Sequence, residues 1–264
     1  MPGMDRSIDG VTVHGAEHGA GVPVVALHGS GVDHREVEAG LEAVLTRTGL
    51  HRMYPDLPGM GRTGADGLDS NDDVVTLLCS LIEGLDAGPA LLIGHSYGAY
   101  LARGITDRRP DLVRGLALLC PVGEHTGELP AHEVVREDAD VHRALDAWHR
   151  EGYDDYFVIR TDATARRFRD HIAPAASLVD EAALTRIFSA WPITLTGAGT
   201  DLPVLIVAGR RDATAGFRDA ASMVDVYPRA TLAVVDDAGH ALLHEKPDLV
   251  GALIADWIDR AITA

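Results

Sequence analysis

At 264 residues, with 46% hydrophobic content and charge interleaved throughout, the chain is long enough to bury a substantial core in one α/β domain, and it carries no repeat or low-complexity tract. The net charge of −17, with Lys246 the single lysine, excludes the clustered cations that nucleic-acid binding needs. No apolar run approaches the roughly 20 residues a bilayer crossing requires.

Met1 to Gly10 lacks the basic region and apolar run of a secretory leader. Val11-Thr12-Val13 reads as a first short strand, followed by a glycine-rich turn from Gly15 to Gly21. Val22 to Leu27 is a buried strand that runs into a second turn, His28-Gly29-Ser30-Gly31. His34 to Thr48 predicts an amphipathic helix through Val37, Leu41, Val44 and Leu45, ended by Gly49. A short strand, Leu50 to Tyr54, leads into a Pro- and Gly-rich turn that holds Asp56. That acid is assigned a structural role, because side chains in such turns hydrogen-bond local backbone.

Asn71-Asp72 opens a second helix with a broad apolar face. Ala90 to Ile93 is the next buried strand, and Gly94-His95-Ser96-Tyr97-Gly98 follows it directly. A helix then runs to about Arg109, stopped by Pro110, and Gly115 to Cys120 is another apolar strand. Cys79 and Cys120 lie in apolar stretches without a CxxC spacing and read as buried thiols in a reducing cytoplasm.

From Pro121 to Thr200 the strand and helix alternation breaks. The stretch is helical, charged and holds seven of the thirteen aromatics: Trp148, Tyr153, Tyr156, Phe157, Phe168, Phe188 and Trp191. It reads as a helical insertion, residues 121–200, in a core made of residues 1–120 and 201–264. Its aromatics are expected both to pack it onto the core and to line an apolar pocket. Alternation resumes with the strand Leu202 to Ala208 and ends with the strand Ala230 to Val235 and a helix from about Lys246, with Leu249, Leu253, Ile254, Trp257 and Ile258 facing inward. The whole predicts a mostly parallel sheet with helices on both faces.

Ser96 carries the chemistry in this reading. A serine hydroxyl becomes a nucleophile only when a base takes its proton, and a G-x-S-x-G turn between a buried strand and a helix exposes it at a fixed point. In a chain with 28 glycines the pentapeptide alone is weak, so the flanking strand and helix decide. Asp212, just past a buried strand and after the nucleophile, is the candidate acid that orients a histidine, with Glu124 in reserve. His240, in the glycine-containing loop after the last strand, is the candidate base, with His244 a weaker alternative. His95 adjoins Ser96 in sequence, yet neighbours at such a turn point different ways. The backbone N–H groups of Ser30 and Tyr97 are the candidate donors to a developing oxyanion.

This set of residues, in the order Ser96, Asp212, His240 with each after a strand, resembles the α/β-hydrolase superfamily from about Val11 to the last residue. Asp56-Leu57-Pro58-Gly59-Met60-Gly61 is similar to the D-x-P-G-x-G turn common there. The resemblance implies an α/β-hydrolase fold with a helical cap inserted after the sixth strand. Ser96 stands where haloalkane dehalogenases have an aspartate, and His-Gly-Ser-Gly-Val replaces the His-Gly-Gly-Pro-Gly of proline iminopeptidases and the His-Gly-Gly-Gly of some lipases. The implied activity is a cytoplasmic serine hydrolase of a small ester, thioester or lactone, working through an acyl enzyme without metal or cofactor. The expected partner is a small molecule with an apolar acyl part, and a homo-oligomer is left open. Alternatives that the same residues leave open are C–C bond hydrolysis of a dienoate or β-diketone, a cyclase or acyl transferase, and a binding protein on a retired hydrolase body. A cationic pocket built from Arg160, Arg166, Arg167 or Arg169 would favour the C–C reaction, although solvated arginines are the commoner case.

Overall fold

Every residue of the strands before Ser96 and Asp212 is buried, which requires cover on both faces of the sheet. The computed structural model describes residues 3–45, 49–123, 129–197 and 199–263. Its strands are β1 (Gly3–Ile8), β2 (Val11–Gly19), β3 (Val22–Leu27), β4 (Leu50–Pro55), β5 (Ala90–His95), β6 (Val113–Leu119), the two-residue β7 (Arg136–Glu137) and β8 (Ile159–Arg160), β9 (Val204–Gly209) and β10 (Ala230–Val235). Eight of them form one sheet in the order β1-β2-β4-β3-β5-β6-β9-β10, and β7 pairs with β8 apart from it. The pairings from β4 through β10 are parallel, whereas β1 with β2 and β2 with β4 are antiparallel.

The covering helices are α1 (His34–Leu41), α2 (Asn71–Glu83), α3 (Tyr97–Arg108) and, at the far end, α10 (Pro247–Thr263). Alternate residues of β5 enter opposite cores. Leu92 packs with α2 and α3, while Leu91 and Ile93 pack with Val37 of α1 and Trp257 of α10. Each such side chain, buried completely, contributes about 1.5–3 kcal/mol. Between β6 and β9 lie α4 (Ala147–Tyr156), α5 (Asp162–Arg167), α6 (Ala173–Ala175) and α7 (Glu181–Ser189), and α8 (Arg218–Ser222) and α9 (Leu242–Glu245) follow later. Tyr153, Phe157, Phe168 and Ile172 gather in a third apolar cluster with Ala241. Beyond α7, the Trp191 ring stacks on Tyr100 of α3 at 5.1 Å. Trp148, by contrast, is 87% exposed.

Several elements depart from expectation. β1 forms on residues without an apolar pattern, because pairing with β2 supplies its hydrogen bonds. The stretch from Gly15 to Gly19 continues β2 rather than turning. Gly15 allows this, since a Cβ there would lie 2.1 Å from the Tyr54 carbonyl oxygen on the neighbouring antiparallel strand β4. α1 ends at Leu41, although turn hydrogen bonds to the Leu41 oxygen continue through Val44 and Leu45, and residues 46–48 lie outside the described residues. Leu249 is exposed because the inward stripe of α10 is Val250, Ile254, Trp257, Ile258 and Ala261. Among the described residues no helix is long and apolar enough to cross a membrane.

Candidate active site

Ser30, Ser96, Asp212 and His240 all follow the carboxyl ends of parallel strands, β3, β5, β9 and β10, so the sheet brings them to one edge. Ser96 sits at φ 54° and ψ −117°, in the left-handed region that non-glycine residues avoid. The strain is held from both sides. A Cβ at Gly94 would meet the Gly98 carbonyl oxygen at 2.4 Å, and one at Gly98 would meet the Leu27 oxygen at 2.2 Å. These two positions therefore need glycine, which is the physical content of the pentapeptide. The Ser96 N–H donates to the Leu119 oxygen of β6 at 2.9 Å and ties the turn to the sheet.

Ser96 Oγ makes no capping bond to α3 and instead lies 2.9 Å from His240 Nε2. On the far side of the ring, His240 Nδ1 lies 2.8 Å from Asp212 Oδ2. Asp212 is fully buried, and its Oδ1 accepts the N–H groups of Thr214 at 2.9 Å and Ala215 at 2.8 Å. Burial alone would raise its pKa, but His240 and these N–H groups outweigh burial and hold it below the ordinary value. Three residues far apart in sequence thus form one hydrogen-bonded relay from carboxylate to hydroxyl.

Ser96 opens into a cavity of about 290 Å³ lined by Gly29, Ser30, Glu36, Tyr156, Phe168 and His240, among others. Tyr97 begins α3, so its N–H belongs to the first turn, where no intrahelical acceptor exists and the helix dipole is positive. Its hydroxyl is used elsewhere, donating to Asn71 Oδ1 at 2.6 Å. His28 holds the Ser30 turn in place: Nδ1 donates to the Gly29 oxygen at 2.7 Å, and Nε2 accepts the Leu57 N–H at 2.9 Å. Burial keeps that ring neutral by lowering its pKa.

A profile of the Alpha/beta hydrolase family matches residues 24–253. The chain belongs to this family. It is 23% identical over 257 residues to an (E)-2-((N-methylformamido)methylene)succinate hydrolase of Acinetobacter baylyi, covering 94% of each chain. Similarity to a 2-hydroxymuconate semialdehyde hydrolase of Pseudomonas sp. is 24% over 268 residues, covering 97% of this chain and 93% of the relative. Among solved structures, an alpha/beta superfamily hydrolase from Oenococcus oeni PSU-1 superposes with a TM-score of 0.90 at 23% identity, over 99% of this chain and 100% of the other.

Other residues of this alpha/beta hydrolase take supporting places. Asp56 binds locally, as the turn composition suggests: Oδ1 accepts from His34 N–H at 3.1 Å and His34 Nδ1 at 2.6 Å, and Oδ2 accepts from Arg62 N–H at 3.0 Å. His95 does not reach Ser96 Oγ; its Nε2 lies 3.1 Å from the His240 carbonyl oxygen. His244 lies behind, 3.1 Å from Glu36 Oε1. Glu124 falls outside the described residues. Of the arginines between β6 and β9, Arg160 pairs with Glu137 at 2.8 Å, Arg166 with Asp162, and Arg169 with Asp170 at 2.7 Å. Among the described residues no arginine lines the cavity.

Two buried carboxylates escape sequence reasoning. Glu245 Oε1 accepts the N–H groups of Val158 at 2.7 Å and Ile159 at 3.1 Å, while Oε2 accepts Gly239 N–H at 2.7 Å. It ties the residue before His240 to the chain entering β8. Glu36, on α1, lines the cavity itself. Among the described residues two groups have the geometry to gather a metal ion, Asp33 with His34 and Asp56, and His95 with Cys120 and His240. In the first, Arg35 and His34 already bind the carboxylates; in the second, His240 is held between Ser96 and Asp212.

Proposed function

We propose that this alpha/beta hydrolase is a cytoplasmic serine hydrolase that cleaves a small ester, thioester or lactone through an acyl enzyme. The relay Asp212, His240, Ser96, with spacings of 2.8 and 2.9 Å and opening into a cavity, carries the reading. Ser96 Oγ attacks the carbonyl carbon as His240 Nε2 takes its proton, and Asp212 stabilises the imidazolium and fixes its tautomer. The N–H groups of Ser30 and Tyr97 bind the oxyanion, helped by the positive end of α3. His240 then protonates the leaving group, and water, activated by the same ring, releases the acid and frees Ser96. A volume near 290 Å³ lies at the low end for ligand sites and suits a short acyl chain. Residues 121–200 act as the cap, contributing Tyr156 and Phe168 to the pocket. Two free, buried thiols suit a reducing compartment.

Intact mass after treatment with a fluorophosphonate tests the reading. A single adduct, mapped to Ser96 and absent from Ser96→Ala, is expected, together with a loss in kcat of about four orders of magnitude in the variant. No adduct, or turnover retained by Ser96→Ala, would overturn it. C–C bond hydrolysis of a dienoate is the second reading. It uses the same residues and is favoured by likeness to the 2-hydroxymuconate semialdehyde hydrolase.

A further inference from the structure

Two buried ionisable side chains beside His240 have no part in the relay: Glu36 on α1 and His95 at the end of β5, 1% and 2% exposed. They face each other, with His95 Nδ1 3.5 Å from Glu36 Oε1, a charge contact longer than a hydrogen bond. On the other side of the ring, His95 Nε2 lies 3.1 Å from the His240 carbonyl oxygen, and the two histidine rings are 5.1 Å apart between centroids. These contacts fix where the protons are. A carbonyl oxygen only accepts, so Nε2 carries an N–H. A bare Nδ1 would set its lone pair against a carboxylate, so Nδ1 carries one too. His95 is therefore an imidazolium, and Glu36 is its counter-ion.

The other groups around the ring agree with that assignment. From α9, His244 Nε2 lies 3.1 Å from the same Glu36 oxygen, and from α4 the Tyr156 hydroxyl donates to it at 3.4 Å. Cys120, after β6, and His240 each bring a side-chain atom within 4.8 Å of His95, and Asp212 adds a second negative charge behind His240. Burial opposes the charge on His95, but Glu36, the His240 carbonyl and Asp212 outweigh burial and raise its pKa above the ordinary 6.5. His244 is shifted the other way: burial, with His95 and Arg167 of α5 acting in the same direction, lowers its pKa and leaves that ring neutral.

What the pair holds is the backbone of the relay histidine. Glu245 takes the Gly239 N–H at 2.7 Å, one residue before His240, and His95 takes the carbonyl of His240 itself. The main chain is thus gripped on both sides of the residue whose Nε2 meets Ser96 Oγ at 2.9 Å. Proton transfer is sensitive to such placement, since an error of about 1 Å costs on the order of a hundredfold.

We propose that Glu36 and His95 form a buried ion pair that positions the base: His95 donates from Nε2 to the His240 carbonyl, and Glu36 balances its charge and fixes the direction of the ring. His95 is a positioning residue that acts through His240, and this role rests on the reading of His240 as the general base.

Two readouts separate positioning from packing. The first is a long-range ¹H–¹⁵N NMR titration of the histidine rings, with His95 assigned by its absence from His95→Gln, and it requires no turnover. His95 should lose its proton with a midpoint above about 6.5 in the parent and below that value in Glu36→Gln, because the anion that favours the charged ring is gone. The second is steady-state hydrolysis of p-nitrophenyl butanoate. His95→Leu, which has no donor, should lower kcat about tenfold to a hundredfold with KM within about threefold of the parent. His95→Gln can place an N–H where Nε2 stood, and it should recover most of that loss. A His95 midpoint at or below 6.5 in the parent, or one that Glu36→Gln leaves in place, would overturn the proposal. So would an unchanged kcat in His95→Leu, a loss confined to KM, or no recovery in His95→Gln. Should His95→Leu fail to fold, the parent titration and a His95→Gln kcat within about tenfold of the parent decide. Absence of a fluorophosphonate adduct on the parent marks failure of the hydrolase reading instead, and the titration still decides whether the ion pair exists.

Discussion

Asp212 gives one oxygen to two backbone N–H groups and leaves the other for His240, so its carboxyl plane cannot turn. Asp212→Asn keeps the shape but can present an N–H where the ring needs an acceptor, which favours the wrong tautomer. A fall in kcat of about four orders of magnitude is expected from ester kinetics. Glu124→Gln should leave kcat near the parent value; a larger loss there than in Asp212→Asn would move the acid to Glu124. Asp56 makes a different prediction. Burial favours its neutral form, yet the His34 and Arg62 hydrogen bonds bring its pKa down to about 2 from 3.8. A folded pKa below the unfolded one means that the stabilisation is complete above about pH 4 and disappears as pH falls toward 2. The difference is about 2 kcal/mol. Urea unfolding of parent and Asp56→Asn across that range should show the gap between them narrowing as acid is added.

Glu245 joins three elements: α9 that carries it, the loop after β10, and the chain entering β8. Glu245→Gln can accept at only one of its two terminal atoms, leaving buried N–H groups unpaired at about 1–3 kcal/mol each. Reduced stability, faster amide exchange at Gly239, Val158 and Ile159, and a lower kcat with an ester are expected together; unchanged exchange at Gly239 would deny the clamp. Such contacts are not legible in a sequence. Glu245 and Val158 are separated by 87 positions, and Glu36 and His244 by 208, so both acids resemble the solvated polar faces of short helices until the fold closes. Ser96, Asp212 and His240 could be singled out as candidates because each follows a largely apolar strand and lies beside glycine or in a loop, signals that are local. β3, β5, β6, β9 and β10 were legible for the same reason. β1 was not, since an edge strand buried on one side carries little apolar pattern, and Gly15 looked like a turn because only the approach of β4 explains it. Concentration of aromatics in 121–200 was visible. That Tyr156 and Phe168 face the cavity while Trp191 covers Tyr100 depends on packing alone.

At the scale of the molecule, the strand order puts β5 beside β3 and β6, with β9 and β10 added on one side. Ser96 therefore stands in the middle of the sheet, after β5, whereas Asp212 and His240 arrive with the last two strands. Ser96 and His240 are 144 positions apart. At synthesis rates of about 5–20 residues per second, Ser96 is added to the chain roughly 7–30 s before His240. Throughout that interval the half-made chain holds the Ser96 hydroxyl without the His240 ring that bonds it. The hydrogen-bonded set of Ser96, His240 and Asp212 is thus gated by the progress of translation, and a product terminated before residue 240 lacks it.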